Sequence, residues 1–317
     1  MTGPTLVTGA AGFAGSHLVD QLAADRVDVV GWHRPGGAPH QPLPGVRWQA
    51  IDILERSSVF EAISALRPAV VFHCAGAAHV GQSWATVTQT MRVNVMGTHH
   101  LVEALRAAAP DAKLLITSSA HIYGSSPAPI DESHPIAPDS PYALSKVAQE
   151  LAGAGNGGRP QVYIARPFNH VGPRQDPSFV ASAFARQIAQ IETGLIPPVL
   201  RVGNLEARRD LTDVRDTVRA YIALMAHGHS GAVYNVCTGV AGRVGDILDT
   251  LHALARVPID IGTDPALLRP SDTPVVLGSH ERLTRDTGWR PTIGLDTTLR
   301  DLLDAWRATV RAEHRQA

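Results

Sequence analysis

The chain has little cysteine, no excess of either charge and no long hydrophobic run. Cys74 and Cys237 are the only two cysteines in 317 residues. Each sits in an apolar run, and neither belongs to a CxxC pair or a metal-ligand spacing, so both read as buried free thiols. Lysine plus arginine number 28 against 29 aspartates and glutamates, with no basic block, so no nucleic acid or membrane surface is expected as a partner. No apolar stretch approaches the roughly 20 residues of a membrane span, and no basic segment precedes an apolar one at the N-terminus. A cytoplasmic protein acting on a small molecule is expected. The 15 histidines are scattered without an HExxH-like pattern, so no metal site is expected. Internal repeats and low-complexity segments are absent as well.

What the sequence does have is alternation. "TLVTG" (5–9), "DVVGW" (28–32), "AVVFHCA" (69–75), "KLLITSS" (113–119) and "QVYIARP" (161–167) read as strands, and their unbroken apolar runs imply burial on both faces. Helices are predicted at about 12–24, 57–66, 87–109 and 141–152. Leu101, Leu105 and Ala108 give the third an apolar stripe. This is the pattern of a Rossmann-type α/β fold, a doubly wound parallel sheet. After Pro167 prolines cluster and the alternation becomes irregular, which predicts a smaller mixed α/β substrate lobe. The expected division is a dinucleotide-binding domain over 1–167 and a mainly substrate-binding lobe over 168–317. Segments within 210–240, such as "VYNVC" (233–237), are expected to return to the sheet.

The first strand runs into "GAAGFAG", placing Gly9, Gly12 and Gly15 between a strand and a helix. Gly9 suits a tight turn, Gly12 a close backbone approach to a pyrophosphate and Gly15 close helix–strand packing. A merely structural strand–helix turn is the competing reading. The second strand ends in Trp32-His33-Arg34, where an NAD-binding chain usually carries an acid for the ribose diol. A guanidinium suits a 2′-phosphate, so NADP(H) is favoured over NAD(H), unless Arg34 is simply a solvated charge. Asp52, after the third strand, is placed to touch the adenine.

Tyr142 and Lys146 in "YALSK" stand one helical turn apart and share a face. An ammonium beside a phenol is expected to lower the phenol's pKa and make it a usable acid or base. Ser119, at a strand end, suits a hydrogen bond to the reacting oxygen. Tyr123 reads as a packed aromatic.

"TGAAGFAGSHL", Ser119, "YALSK" and "RPFNHVGP" together resemble the extended short-chain dehydrogenase/reductase family, in its nucleotide-sugar branch, over nearly the whole chain. The resemblance implies Ser119, Tyr142 and Lys146 as catalytic residues. For the cofactor it implies Gly9, Gly12, Phe13, Ala14, Gly15, Arg34, Asp52, Ile53, Ala75 and Pro167, together with Tyr142 and Lys146. His79, His121, Asn169, His170, Arg201, Arg209, Arg269 and Asp272 would face the substrate, with Arg209 and Arg269 on its diphosphate. Arg209 could instead pair with Asp210 or Asp213, and His170 reads equally well as a structural histidine.

In the resembling 4,6-dehydratases the second position after the catalytic Ser or Thr carries a carboxylate, where this chain has His121. Dehydration is therefore disfavoured, and the resemblance implies NADPH-dependent reduction of a nucleotide-linked 4-keto-6-deoxy sugar, of the GDP-4-keto-6-deoxy-D-mannose to GDP-D-rhamnose type. A 4-epimerase with tightly bound NAD, a 4,6-dehydratase or a non-catalytic NADP-binding regulator are the alternatives. The family also implies a homodimer through a four-helix bundle built on 87–109 and 141–152, the latter helix being short for the family.

Overall fold

A computed structural model describes residues 3–154, 158–267 and 274–316. The first half alternates β1 (Thr5–Thr8), α1 (Phe13–Ala24), β2 (Val29–His33), β3 (Arg47–Ala50), α2 (Arg56–Leu66) and β4 (Val70–His73). Next come α3 (Val80–Ser83), α4 (Val87–Met91), α5 (Gly97–Ala108), β5 (Lys113–Thr117), α6 (Pro141–Ala154) and β6 (Gln161–Pro167). The second half adds β7 (Asn169–Val171), α7 (Val180–Glu192), β8 (Val199–Val202), β9 (Arg208–Asp213), α8 (Val214–His227) and β10 (Val233–Val236). It ends with β11 (Ala241–Arg243), α9 (Val244–Ala253), β12 (Asp260–Thr263), β13 (Val275–Val276), α10 (Glu281–Thr287) and α11 (Leu295–Gln316).

Seven strands form one parallel sheet in the order β10-β6-β5-β4-β1-β2-β3. Strands β1 and β4 are buried throughout, as their apolar runs require of a sheet covered on both faces. On one face Leu18, Leu22, Tyr221 and Leu224 of α1 and α8 pack on Val7, Phe72 and Leu115. On the other, Val59, Ile63, Leu101 and Leu105 of α2 and α5 cover Leu6, Val71 and Ile116. The remaining strands make small sheets around a separate core in which Phe184, Ile188, Leu248, Leu251, Leu299 and Leu302 come from α7, α9 and α11. Strand β10 arrives from the second half to pair with β6, Val233 opposite Ile164.

Two departures from the sequence reading bear on the site. The helix expected over 87–109 carries a π-helical turn at Arg92–Met96 between α4 and α5, a feature that recurs at functional sites. Cys237 is buried as expected, but Cys74 is only half-buried, because it lies just beyond β4 where the sheet opens toward the site.

Candidate active site

The carboxyl ends of the parallel strands gather the candidate residues along one edge of the sheet, where folds of this class bind ligands. The turn after β1 demands its glycines. Gly9 adopts φ +66°, and a Cβ there would lie 2.6 Å from the Ala75 nitrogen; a Cβ on Gly15 would collide with the Gly9 carbonyl. Gly12 precedes α1 without a side-chain cap, so the first-turn N–H groups at Phe13, Ala14 and Gly15 are open to an anion.

The second lobe is strapped to this turn. His170, on β7, stacks its ring on Phe13 at 5.3 Å with the planes 5° apart. His17 Nε2 bonds the Pro173 carbonyl at 2.8 Å, and Arg174 pairs with Asp20 at 2.7 Å. Burial pushes the pKa of both His17 and His170 down, so both rings are neutral at pH 7.

Arg34 is exposed just past β2 and makes no ion pair among the described residues. Asp52 Oδ1 accepts the Leu54 N–H at 2.9 Å, and the Ile53 carbonyl bonds His100 Nδ1 at 3.2 Å. Ala75 donates its N–H to Thr8 Oγ1 at 3.2 Å, and Pro167 ends β6 opposite Val236.

Helix α6 starts where it must for Tyr142 and Lys146 to face inward. Ser140 Oγ accepts the Ala143 N–H at 3.2 Å as an N-cap, and Pro141 follows at the first helical position. Tyr142, Lys146 and Ser119 are all buried. Ser119 Oγ accepts the His121 N–H at 3.2 Å and lies beside the Tyr142 phenol. Lys146 Nζ donates to the Thr117 carbonyl and to Gln149 Oε1, both at 2.9 Å, and stands 5.8 Å from the Tyr142 ring centre. Burial pushes the lysine down to about 8.

Here the electrostatics correct the sequence reading. Tyr142 lies above the ordinary phenol value, not below it: burial raises it and the neighbouring Ser119 lowers it by less. The ammonium is turned toward its two acceptors instead of the phenol. The protein alone therefore keeps Tyr142 protonated, ready to donate.

His121 is exposed, as a strand-end residue would be, and its ring faces Tyr142 edge-on at 6.1 Å. His79 meets the second lobe, Nδ1 to Ser178 Oγ at 3.1 Å with its ring stacked on Phe179. Asn169 is half-buried on β7, paired with Leu211 of β9. Arg201 is exposed on β8, and Arg209, half-buried on β9, donates to the Arg208 carbonyl at 2.8 Å. The acids once considered for Arg209 are engaged elsewhere: Asp210 accepts from Thr238, Gly239 and Gly278, and Asp213 from Arg215 and Thr298. Arg269 and Asp272 lie outside the described residues.

Sequence reasoning missed Asn94, buried in the π-helical turn. Its Oδ1 accepts the Ala77 N–H at 2.8 Å, and its Nδ2 donates to Ser145 Oγ at 2.8 Å, tying the loop after β4 to α6. It also missed His73, whose Nδ1 meets Thr8 Oγ1 at 2.7 Å inside the sheet. Burial drives His73 from 6.5 to about 3. An unfolded chain takes up this proton as pH falls below 6.5 while the folded chain refuses it, so stability is lost between pH 6.5 and about 3. The full loss attributable to His73, reached near pH 3, is on the order of 5 kcal/mol. Denaturant melts at pH 7 and pH 4 should show His73→Gln losing less stability on acidification than wild type. Equal losses would remove His73 as the source.

The GDP-mannose 4,6 dehydratase family model matches residues 6–302. The chain is 38% identical to a GDP-6-deoxy-D-mannose reductase of Pseudomonas aeruginosa, covering 99% of this chain and all of the relative. It is 30% identical to a UDP-glucose 4-epimerase of Mycolicibacterium smegmatis over 92% and 94% of the two chains. The solved structure of RMD from Pseudomonas aeruginosa complexed with NADPH superposes with a TM-score of 0.84 at 36% identity, covering 97% of this chain and 100% of that one.

Proposed function

The chain belongs to the GDP-mannose 4,6-dehydratase family of extended short-chain dehydrogenases/reductases, and on that footing we propose that it is an NADPH-dependent reductase of a nucleotide-linked 4-keto-6-deoxy sugar. The preferred substrate is GDP-4-keto-6-deoxy-D-mannose, reduced at C4 to a GDP-D-rhamnose-type product in the cytoplasm. No helix among the described residues is long and apolar enough to cross a membrane. The observation that carries the reading is a buried Tyr142 beside Ser119, its phenol held above the ordinary value by burial, with a histidine at position 121. Reduction needs one proton at the oxygen, whereas dehydration needs an acid and base pair further along the sugar.

The residues present fit a dinucleotide: an uncapped helix start behind a glycine turn, and one Lys146 N–H with no protein acceptor among the described residues. When bound, the reduced nicotinamide supplies a hydride. Ser119 holds the carbonyl oxygen, and Tyr142 gives its proton to the developing alkoxide. Lys146 holds the ribose side of the site. His79, Asn169 and His170 border the sugar, and Arg201 and Arg209 offer guanidiniums to the diphosphate.

Arg34 supports NADPH over NADH. Arg34→Ala should weaken NADPH binding by roughly 1.5–3 kcal/mol, the scale of a charged hydrogen bond, and leave NADH binding nearly unchanged. Titration of each cofactor checks this, and equal losses would sink the preference.

A homodimer is part of the same reading. Trp84, just after α3, and Val87, Met96, Leu144 and Leu151, along α4 to α6, are all exposed, Leu151 at 72%. Leu144 and Leu151 lie two turns apart on one face of α6. A second copy of these helices would cover them in a four-helix bundle.

The test of the function is to incubate the protein with GDP-4-keto-6-deoxy-D-mannose and NADPH and identify the sugar by NMR. Stoichiometric NADPH consumption with a reduced C4 is expected. Interconversion of sugars without net NADPH loss would assign an epimerase, and a 4-keto product from GDP-mannose with NADP a dehydratase.

A further inference from the structure

Lys146 ends a buried chain of hydrogen bonds that crosses the sheet. Lys146 Nζ donates to Gln149 Oε1 at 2.9 Å, and Gln149 Nε2 donates to Thr98 Oγ1 at 2.9 Å. Thr98 Oγ1 meets His73 Nε2 at 2.8 Å and donates its own proton to the Asn94 carbonyl at 2.7 Å. His73 Nδ1 meets Thr8 Oγ1, which accepts the Ala75 N–H. Gln149, Thr98 and His73 are fully buried.

The direction of every bond follows. A carbonyl only accepts, so the Thr98 proton is on Asn94, and Thr98 must accept from both Gln149 and His73. His73 therefore carries its proton on Nε2 and accepts from Thr8 on Nδ1. With Thr98 saturated, the Gln149 amide cannot flip: Nε2 would face the lysine N–H, and Oε1 would face an oxygen with no proton to give.

We propose that Gln149 is a positioning residue for Lys146: its oxygen, locked in orientation by Thr98 and His73, holds the lysine ammonium in one direction. This rests on the reading of Lys146 as the cofactor-side lysine. The other titratable groups facing Lys146 are His73 from β4, Cys74 just beyond it, and Tyr142 and Glu150 on its own helix. His73 is neutral, and burial pushes the Cys74 thiol up to about 12. Glu150 is bound bidentately by Arg166 at 2.9 and 2.7 Å. From β5 the only acceptor is the Thr117 carbonyl. The Gln149 oxygen is thus the adjustable partner of the ammonium.

The sequence holds two lysines, Lys113 and Lys146. Protein labelled with ¹³C at the lysine ε-carbon therefore gives two titrating signals, and Lys146→Met assigns them. In wild type the Lys146 signal should titrate near 8. Gln149→Leu removes the acceptor and should lower that midpoint by about one pH unit or more, while Gln149→Glu adds a negative charge and should raise it. The Lys113 signal should not move. The basic limb of kcat/KM for the sugar reduction should shift the same way in each variant. An unchanged Lys146 midpoint in both variants, or a shift of the same sign in both, overturns the proposal. A merely structural glutamine would alter melting temperature without opposing shifts. Full turnover in Lys146→Met would overturn the role of Lys146 itself, and the midpoints would still judge Gln149.

Discussion

Tyr142→Phe should lower turnover by about a hundredfold or more while NADPH binding stays within about threefold of wild type, because one hydroxyl is lost and the ring that shapes the pocket is kept. That loss corresponds to roughly 2.7 kcal/mol of transition-state stabilisation. The expectation rests on burial, which keeps the phenol protonated, and on Ser119, which orients it. Single-turnover measurements together with cofactor titration separate the two quantities. Retained turnover would transfer the acid role to His121, whose ring is 6.1 Å from that of Tyr142. His121→Ala, by contrast, should leave the reduction largely intact.

Arg166→Met should destabilise the protein by about 3–5 kcal/mol, the cost of stranding a buried charge. Arg166 and Glu150 have side chains only 6% and 10% exposed, joined by two bonds, and Arg166 Nη1 also donates to Tyr123 Oη at 2.8 Å. Tyr123, the packed aromatic of the sequence reading, donates in turn to Asn235 Oδ1 at 2.8 Å. The cluster fastens α6 to β6 and β10. Calorimetry should show a fall in Tm of roughly 5–8 °C. The double variant Arg166→Met/Glu150→Gln should recover part of it, since no lone carboxylate remains. A single variant melting within about 2 °C of wild type would rule out the pair as a stabilising element.

Much of this was legible in the residues. Fully apolar runs gave five of the six strands of the first half because a covered parallel sheet leaves no polar face to interrupt them, whereas the edge strand β3, mostly exposed, has no such run. The glycine turn was legible because geometry excludes every other residue at Gly9 and Gly15. The π-helical turn at 92–96 was not, since no side-chain periodicity marks one wider turn, and Asn94 was hidden with it. Tyr142 and Lys146 were correctly seen to share a helix face, but spacing says nothing about where an ammonium finds its acceptors. Those acceptors come from Thr117 on β5 and from Gln149, a residue that inside a helix looks like any polar filler. Cys74 was misjudged because an apolar run does not announce that its last residue borders an opening.

The place of β10 in the sheet bears on how the chain is made. When residues 1–167 have left the ribosome, six of the seven strands exist, and β6 is an edge, almost wholly buried in the finished fold, that only Val233–Val236 will later pair. An exposed edge of that kind pairs with whatever strand is near. Closure waits on distant sequence, which slows folding and lengthens the interval of exposure. Arg166 waits too, because the Asn235 end of its Tyr123 network arrives with the same strand. A fragment cut at Pro167 would therefore carry a complete glycine turn and catalytic helix and still aggregate.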